Sequence, residues 1–127
     1  MKLAIRILAG ALWLGLTVFA QQYEMDRYVV GMLKKGPKWS PEKTPESAKL
    51  QEGHMANIRR MGEMGKLIVA GPFTGNNDTI RGLYIFKTTL EEAKELAEAD
   101  PAIKAGVMVL ELYPWYAARG LSVAPPK

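Results

Sequence analysis

The sequence predicts an α+β fold of the ferredoxin-like kind. Its protomer is an antiparallel four-stranded sheet with two helices on one face, in the order β-α-β-β-α-β. Three observations predict it. Stretches rich in Val, Ile, Leu, Tyr and Phe recur between Gly, Pro and Asn punctuation, as strands do. Two other stretches carry helix-start signals ahead of apolar residues spaced by three and four. Their succession along the chain leaves one strand first, one last and a hairpin between the helices.

The first strand is "RYVVGMLKKG", residues 27–36, ended by Gly36 and Pro37. A loop with three prolines and one tryptophan, "PKWSPEKTP", follows. Thr44 then reads as an N-cap and Pro45 as a first helical residue. The helix runs to about Met64, where Gly65 is placed to end it. "KLIVAGPF" is the second strand, broken near its end by Gly71-Pro72. "TGNNDT" turns the chain through residues that tolerate left-handed backbone. "RGLYIFKT" completes the hairpin as the third strand. Thr89 and Glu92 form a capping box for the helix "LEEAKELAEA". "DPAIKAG" is a tight corner, "VMVLELYPW" the fourth strand, and "AARGLSVAPPK" a tail expected to fray.

The runs "LIVA", "LYIF" and "VMVL" are apolar at consecutive positions, so both faces of the sheet call for burial. Two helices cover one face. The expectation for the other is a second copy of the same sheet, in a homodimer packed face to face.

The chain has 127 residues, room for a single core. Its net charge of +4 and pI near 9.4 raise the question of nucleic acid. Lys2 and Arg6 supply two of those charges in an N-terminal stretch without acids. Elsewhere the signs alternate, as in "EEAKELAEAD". No basic stripe tracks a phosphate backbone, so no nucleic-acid partner is expected. "MKLAIR" followed by the uncharged "ILAGALWLGLTVFA" reads as a secretory signal peptide over residues 1–20, with Val18 and Ala20 small enough for cleavage before Gln21. The apolar run is shorter than the roughly 20 residues of a spanning helix. The expectation is an exported protein, periplasmic or extracellular, off the membrane after cleavage. Residues 21–127 then form one domain with its core at about 26–117. Without cysteine it has neither disulfides nor a cysteine lipid anchor.

His54 is the only histidine. It shares a helical stripe with Leu50, Ile58 and Met61, while Lys49, Glu52, Arg59, Arg60 and Glu63 occupy the opposite side. The ring therefore points at the sheet. One reading is a core histidine held by a backbone carbonyl. The other is a proton-transfer group oriented by a carboxylate, with Asp100 the candidate. Asp100 also precedes Pro101, where an aspartate commonly caps a turn. Gly71 and Pro72 are candidates for a ligand wall, since a bend there brings backbone close. Trp39 is a candidate lid, with plain packing as the alternative. Arg81 and Lys104 read chiefly as solvated charges, and Glu111 as an edge carboxylate in water. Met55, Met61 and Met64 read as helix packing. No serine sits in a nucleophile elbow, and one His without Cys argues against zinc. No metal or cofactor is called for; a haem bound axially by His54 is a minor alternative.

Together "LQEGHMANIRRMGEMGKLIVAGPF", "RGLYIF", "EEAKEL", "DPAIKAG" and "ELYPWY" resemble the YCII-related (YciI-like) family over residues 28–116. The resemblance implies a dimeric α/β barrel built from ferredoxin-like protomers, similar to muconolactone isomerase. It also implies a His-Asp active site, which maps onto His54 and Asp100. Relatives include a dehydrochlorinase acting on a chlorinated hydroquinone. The chain departs from many members at Ala102, where they carry an aromatic, and in its expected export. The functional expectation is elimination, isomerisation or hydrolysis of a small organic molecule, with non-catalytic small-molecule binding as the alternative.

Overall fold

Strand β1, Met25–Lys35, is central because its alternation serves two layers. Val29, Gly31 and Leu33 are buried on one side, while Val30 and Met32 on the other are partly exposed. In this computed structural model, which describes residues 23–75 and 79–123, β1 pairs antiparallel with β3 (Ile80–Phe86) and with β4 (Met108–Ala118). Strand β2 (Leu67–Pro72) adds outside β3, giving the order β2-β3-β1-β4. The predicted signal peptide at 1–20, the hairpin tip at 76–78 and the last residues, 124–127, lie outside the described residues.

Helix α1, Pro45–Glu63, starts where its cap dictates. The Thr44 hydroxyl accepts from the Ser47 amide and the Ser47 hydroxyl accepts from the Thr44 amide, satisfying two end donors reciprocally. Gly65, at φ +70°, supplies the left-handed residue that turns the chain into β2. Helix α2, Leu90–Glu98, begins with half of the expected box. Thr89 accepts from the Glu92 amide, but the Glu92 carboxylate accepts instead from the Thr88 hydroxyl and Lys66 Nζ.

Two stretches differ from the sequence expectation. The corner after α2 holds one turn of helix, α3 (Pro101–Lys104), because Asp100 caps it and Pro101 suits its first position. Strand β4 continues past Trp115 to Ala118, since β1 offers partners out to Met25. Arg119 extends the contact, its amide donating to the Glu24 carbonyl and its guanidinium to the Glu24 carboxylate. The start of the predicted frayed tail is therefore paired.

The core lies between the helices and one sheet face, around Val29, Met61, Leu67, Tyr84, Phe86, Ala93 and Leu96. Met61 and Phe86 are fully buried, and each contributes about 1.5–3 kcal/mol by leaving water. On the opposite face Val30 and Met32 stand beside Ile85, Leu83, Tyr113 and Glu111. Val109, Tyr113 and Trp115 are exposed there. Glu111 lies on the edge strand β4, as expected, and is paired there: Lys34 Nζ lies 2.8 Å from it and the Tyr113 hydroxyl donates at 2.6 Å. Those hydrogen bonds hold the Glu111 carboxyl below its ordinary range and push Lys34 and Tyr113 above theirs.

Candidate functional site

The inward face of α1 presents His54, Asn57 and Met61, all buried. Leu50 and Ile58, expected on the same stripe, are half-buried at its margins. Asn57 had no sequence expectation, although it lies three residues from His54 and so on the same face. Its amide donates to the Leu96 carbonyl at 3.1 Å, tying α1 to α2, and its oxygen accepts from Arg60 at 2.7 Å.

His54 meets a carboxylate rather than a backbone carbonyl. Its Nδ1 stands 2.5 Å from Asp100 Oδ2, with the two residues 5% and 1% exposed. The second oxygen, Oδ1, accepts from the Ala102 amide at 2.9 Å and caps α3. The two readings of Asp100 are thus one arrangement, divided between its oxygens. A carboxylate at Nδ1 accepts a hydrogen bond from the N–H there and so keeps the proton on Nδ1, which leaves Nε2 to act as base toward anything beyond it.

Gly53 makes this contact possible. A Cβ there would lie 2.8 Å from Pro101 Cγ, so α1 and α3 approach across a bare glycine. Glycine inside a helix costs about 1 kcal/mol against alanine, and the close approach brings Asp100 to His54. The signal was present in the sequence, as a helix-interior glycine directly before the only histidine.

Beyond Nε2 stands Tyr84 on β3. Its hydroxyl is 3.4 Å from Nε2 and its ring stacks near the imidazole at 6.4 Å, with an interplanar angle of 21°. Phe86 packs edge-on against the Tyr84 ring at 5.9 Å. Burial, reinforced by the nearby Asp100 charge, pushes the Tyr84 phenol well above its ordinary range.

His54 and Tyr84 open onto a cavity of about 260 Å³ between α1 and the sheet. Leu33, Ile58 and Met108 make its walls apolar, and Gly71 and Pro72 are among its lining residues. Gly71 faces open space, where an added methyl group would meet nothing within 4 Å. Arg81 and Met55 also line the cavity. Met55 and Met64 are exposed, unlike the core residue Met61. Trp39 lies outside the lining, its ring beneath Lys35 Nζ at 4.1 Å. Lys104 is exposed on the last turn of α3 and does not line the cavity. Among the described residues, no three His, Asp or Glu side chains gather as a metal site.

The fold and this geometry define a small α+β protein with a helix-borne histidine, oriented by a buried carboxylate, facing an apolar cavity. The YCII-related domain model matches residues 29–116, from within β1 to within β4, and the chain belongs to that family. Among solved structures the chain is similar to the 5-chloro-2-hydroxyhydroquinone dehydrochlorinase of Burkholderia phenoliruptrix AC1100, in complex with 2,5-dihydroxybenzoquinone. The match has 20% identity and a TM-score of 0.49, and covers 71% of this chain and 93% of that one. A comparison with curated proteins finds no match.

Proposed function

We propose that this chain binds a small, apolar-bodied organic molecule in the cavity beneath α1 and that His54 takes a proton from it. Asp100 holds the ring and stabilises the imidazolium that forms, so the chemistry is elimination, isomerisation or hydrolysis. The observation that carries the reading is the buried Nδ1–carboxylate contact of 2.5 Å in a histidine that also lines a cavity. A histidine serving packing alone has no need of both.

The signal-like N-terminus supports export, and the apolar outer sheet face supports a homodimer. Mass spectrometry of the exported fraction tests the first through a mature chain beginning at Gln21. The function is tested by screening small cyclic and aromatic hydroxy and oxo compounds for loss of substrate. His54→Gln should lower any turnover by about 10²–10⁴-fold, the usual worth of a positioned base. Turnover indifferent to His54 would reject the reading.

A further inference from the structure

Tyr84 is not required to hold His54, since Asp100 and the helix already fix the ring. Its hydroxyl nevertheless reaches the one imidazole nitrogen that Asp100 leaves open, at 3.4 Å, and both residues line the same cavity. Tyr84 is 2% exposed, and its ring stacks near the imidazole and meets Phe86 edge-on. A buried hydroxyl keeps a partner wherever it can; the described residues offer it Nε2. A ligand that engages Nε2 takes that place, and the hydroxyl then needs a new acceptor.

We propose that Tyr84 is the site's second substrate contact, donating to a ligand oxygen, and that the ligand class is small molecules with an ionisable hydroxyl of phenol or enol type. The ligand O–H bond breaks as its proton passes to His54 Nε2. The electron pair stays on the ligand oxygen, which accepts from the Tyr84 hydroxyl. Because burial holds Tyr84 protonated, it stays a donor while charge develops on that oxygen. The inference rests on the reading of His54 as the base, and its test separates the two.

The experiment titrates the full chain with 4-nitrophenol and with 4-nitroanisole, which has the same ring and no ionisable proton. Wild type should bind the phenol at least about tenfold more tightly, the worth of a hydrogen bond to a charged group. Phenolate absorbance should appear on binding at a pH where the free probe is protonated. Tyr84→Phe should remove most of that preference, lowering 4-nitrophenol affinity far more than 4-nitroanisole affinity. Incorporation of 3-fluorotyrosine, a stronger donor that keeps the fold should Tyr84→Phe lose it, should raise the preference. Among the tyrosines, Tyr84 alone lines this cavity. Equal binding of both probes, equal losses for both in Tyr84→Phe, or binding of neither would overturn the proposal. Tyr84-dependent phenol selectivity without turnover would leave this inference standing and reject the catalytic reading. Turnover that needs His54 but not Tyr84 would do the reverse.

Discussion

Asp100→Ala is the perturbation whose cost the structure specifies best. The side chain does two jobs with two oxygens, capping α3 through Oδ1 and holding His54 through Oδ2. Losing an N-cap costs about 1 kcal/mol. Leaving the 5%-exposed imidazole without its buried partner costs about 1–3 kcal/mol more. The sum is about 3 kcal/mol, or about 12–24 °C in Tm for a domain near 100 residues. Asp100→Asn keeps a capping oxygen and a polar atom beside Nδ1, so its cost should be about 1 kcal/mol. Urea denaturation of wild type, both variants, His54→Ala and the double alanine variant completes a cycle. The coupling should be at least about 1 kcal/mol, since residues in direct contact are not additive. Equal small losses for Asp100→Ala and Asp100→Asn, with additive single variants, would refute the reasoning.

Gly53→Ala improves helix propensity yet places a methyl 2.8 Å from Pro101 Cγ. It should destabilise by about 1 kcal/mol net, overpacking outweighing propensity, and should lower any turnover by lengthening the His54–Asp100 contact; a more stable, fully active variant would contradict this. Tyr84→Phe tests pH dependence. Because the folded phenol is raised above its unfolded value of about 10, the stability it supplies is complete below that pH. It falls as pH rises above that value toward the folded pKa, where the unfolded chain has fewer bound protons. Denaturant unfolding from pH 8 upward should show a shallower alkaline decline in Tyr84→Phe than in wild type. Glu111→Lys replaces the pair with Lys34 by a like-charge contact on the outer sheet face, and sedimentation should show the proposed dimer dissociating.

Most of the fold was legible because its signals are local. Thr44-Pro45, Gly65 and the apolar strand runs each act over a few residues, and the order of elements leaves one economical sheet. Strand β4 was underestimated because Ala117 and Ala118 carry little strand preference of their own. They are extended by pairing with Asp26 and Met25, 91 and 93 positions away. The turn of α3 was hidden because Asp-Pro signals a corner and a helix start alike. At the site, His54 and Asp100 could be named from periodicity and turn chemistry, but their contact depends on how closely α1 approaches α3. Gly53 controls that approach through the space its missing side chain leaves. Tyr84 was passed over since a tyrosine in "RGLYIF" reads as ordinary strand packing. Its packing is indeed ordinary, and only its hydroxyl is unusual.

Proton transfer by His54 is the central claim, and hydrogen–deuterium exchange reads it without a known product. Small cyclic phenols, enols and oxo compounds, incubated with the protein in D2O, are followed by mass spectrometry for deuterium at the carbon conjugated with the ionising oxygen, where the enolate left by proton loss to His54 is reprotonated. Wild type should catalyse exchange into at least one of them, with His54→Gln slower by about 10²–10⁴-fold and Asp100→Asn between the two. Exchange at the buffer rate with wild type, or at equal rates with wild type and His54→Gln, would contradict the account.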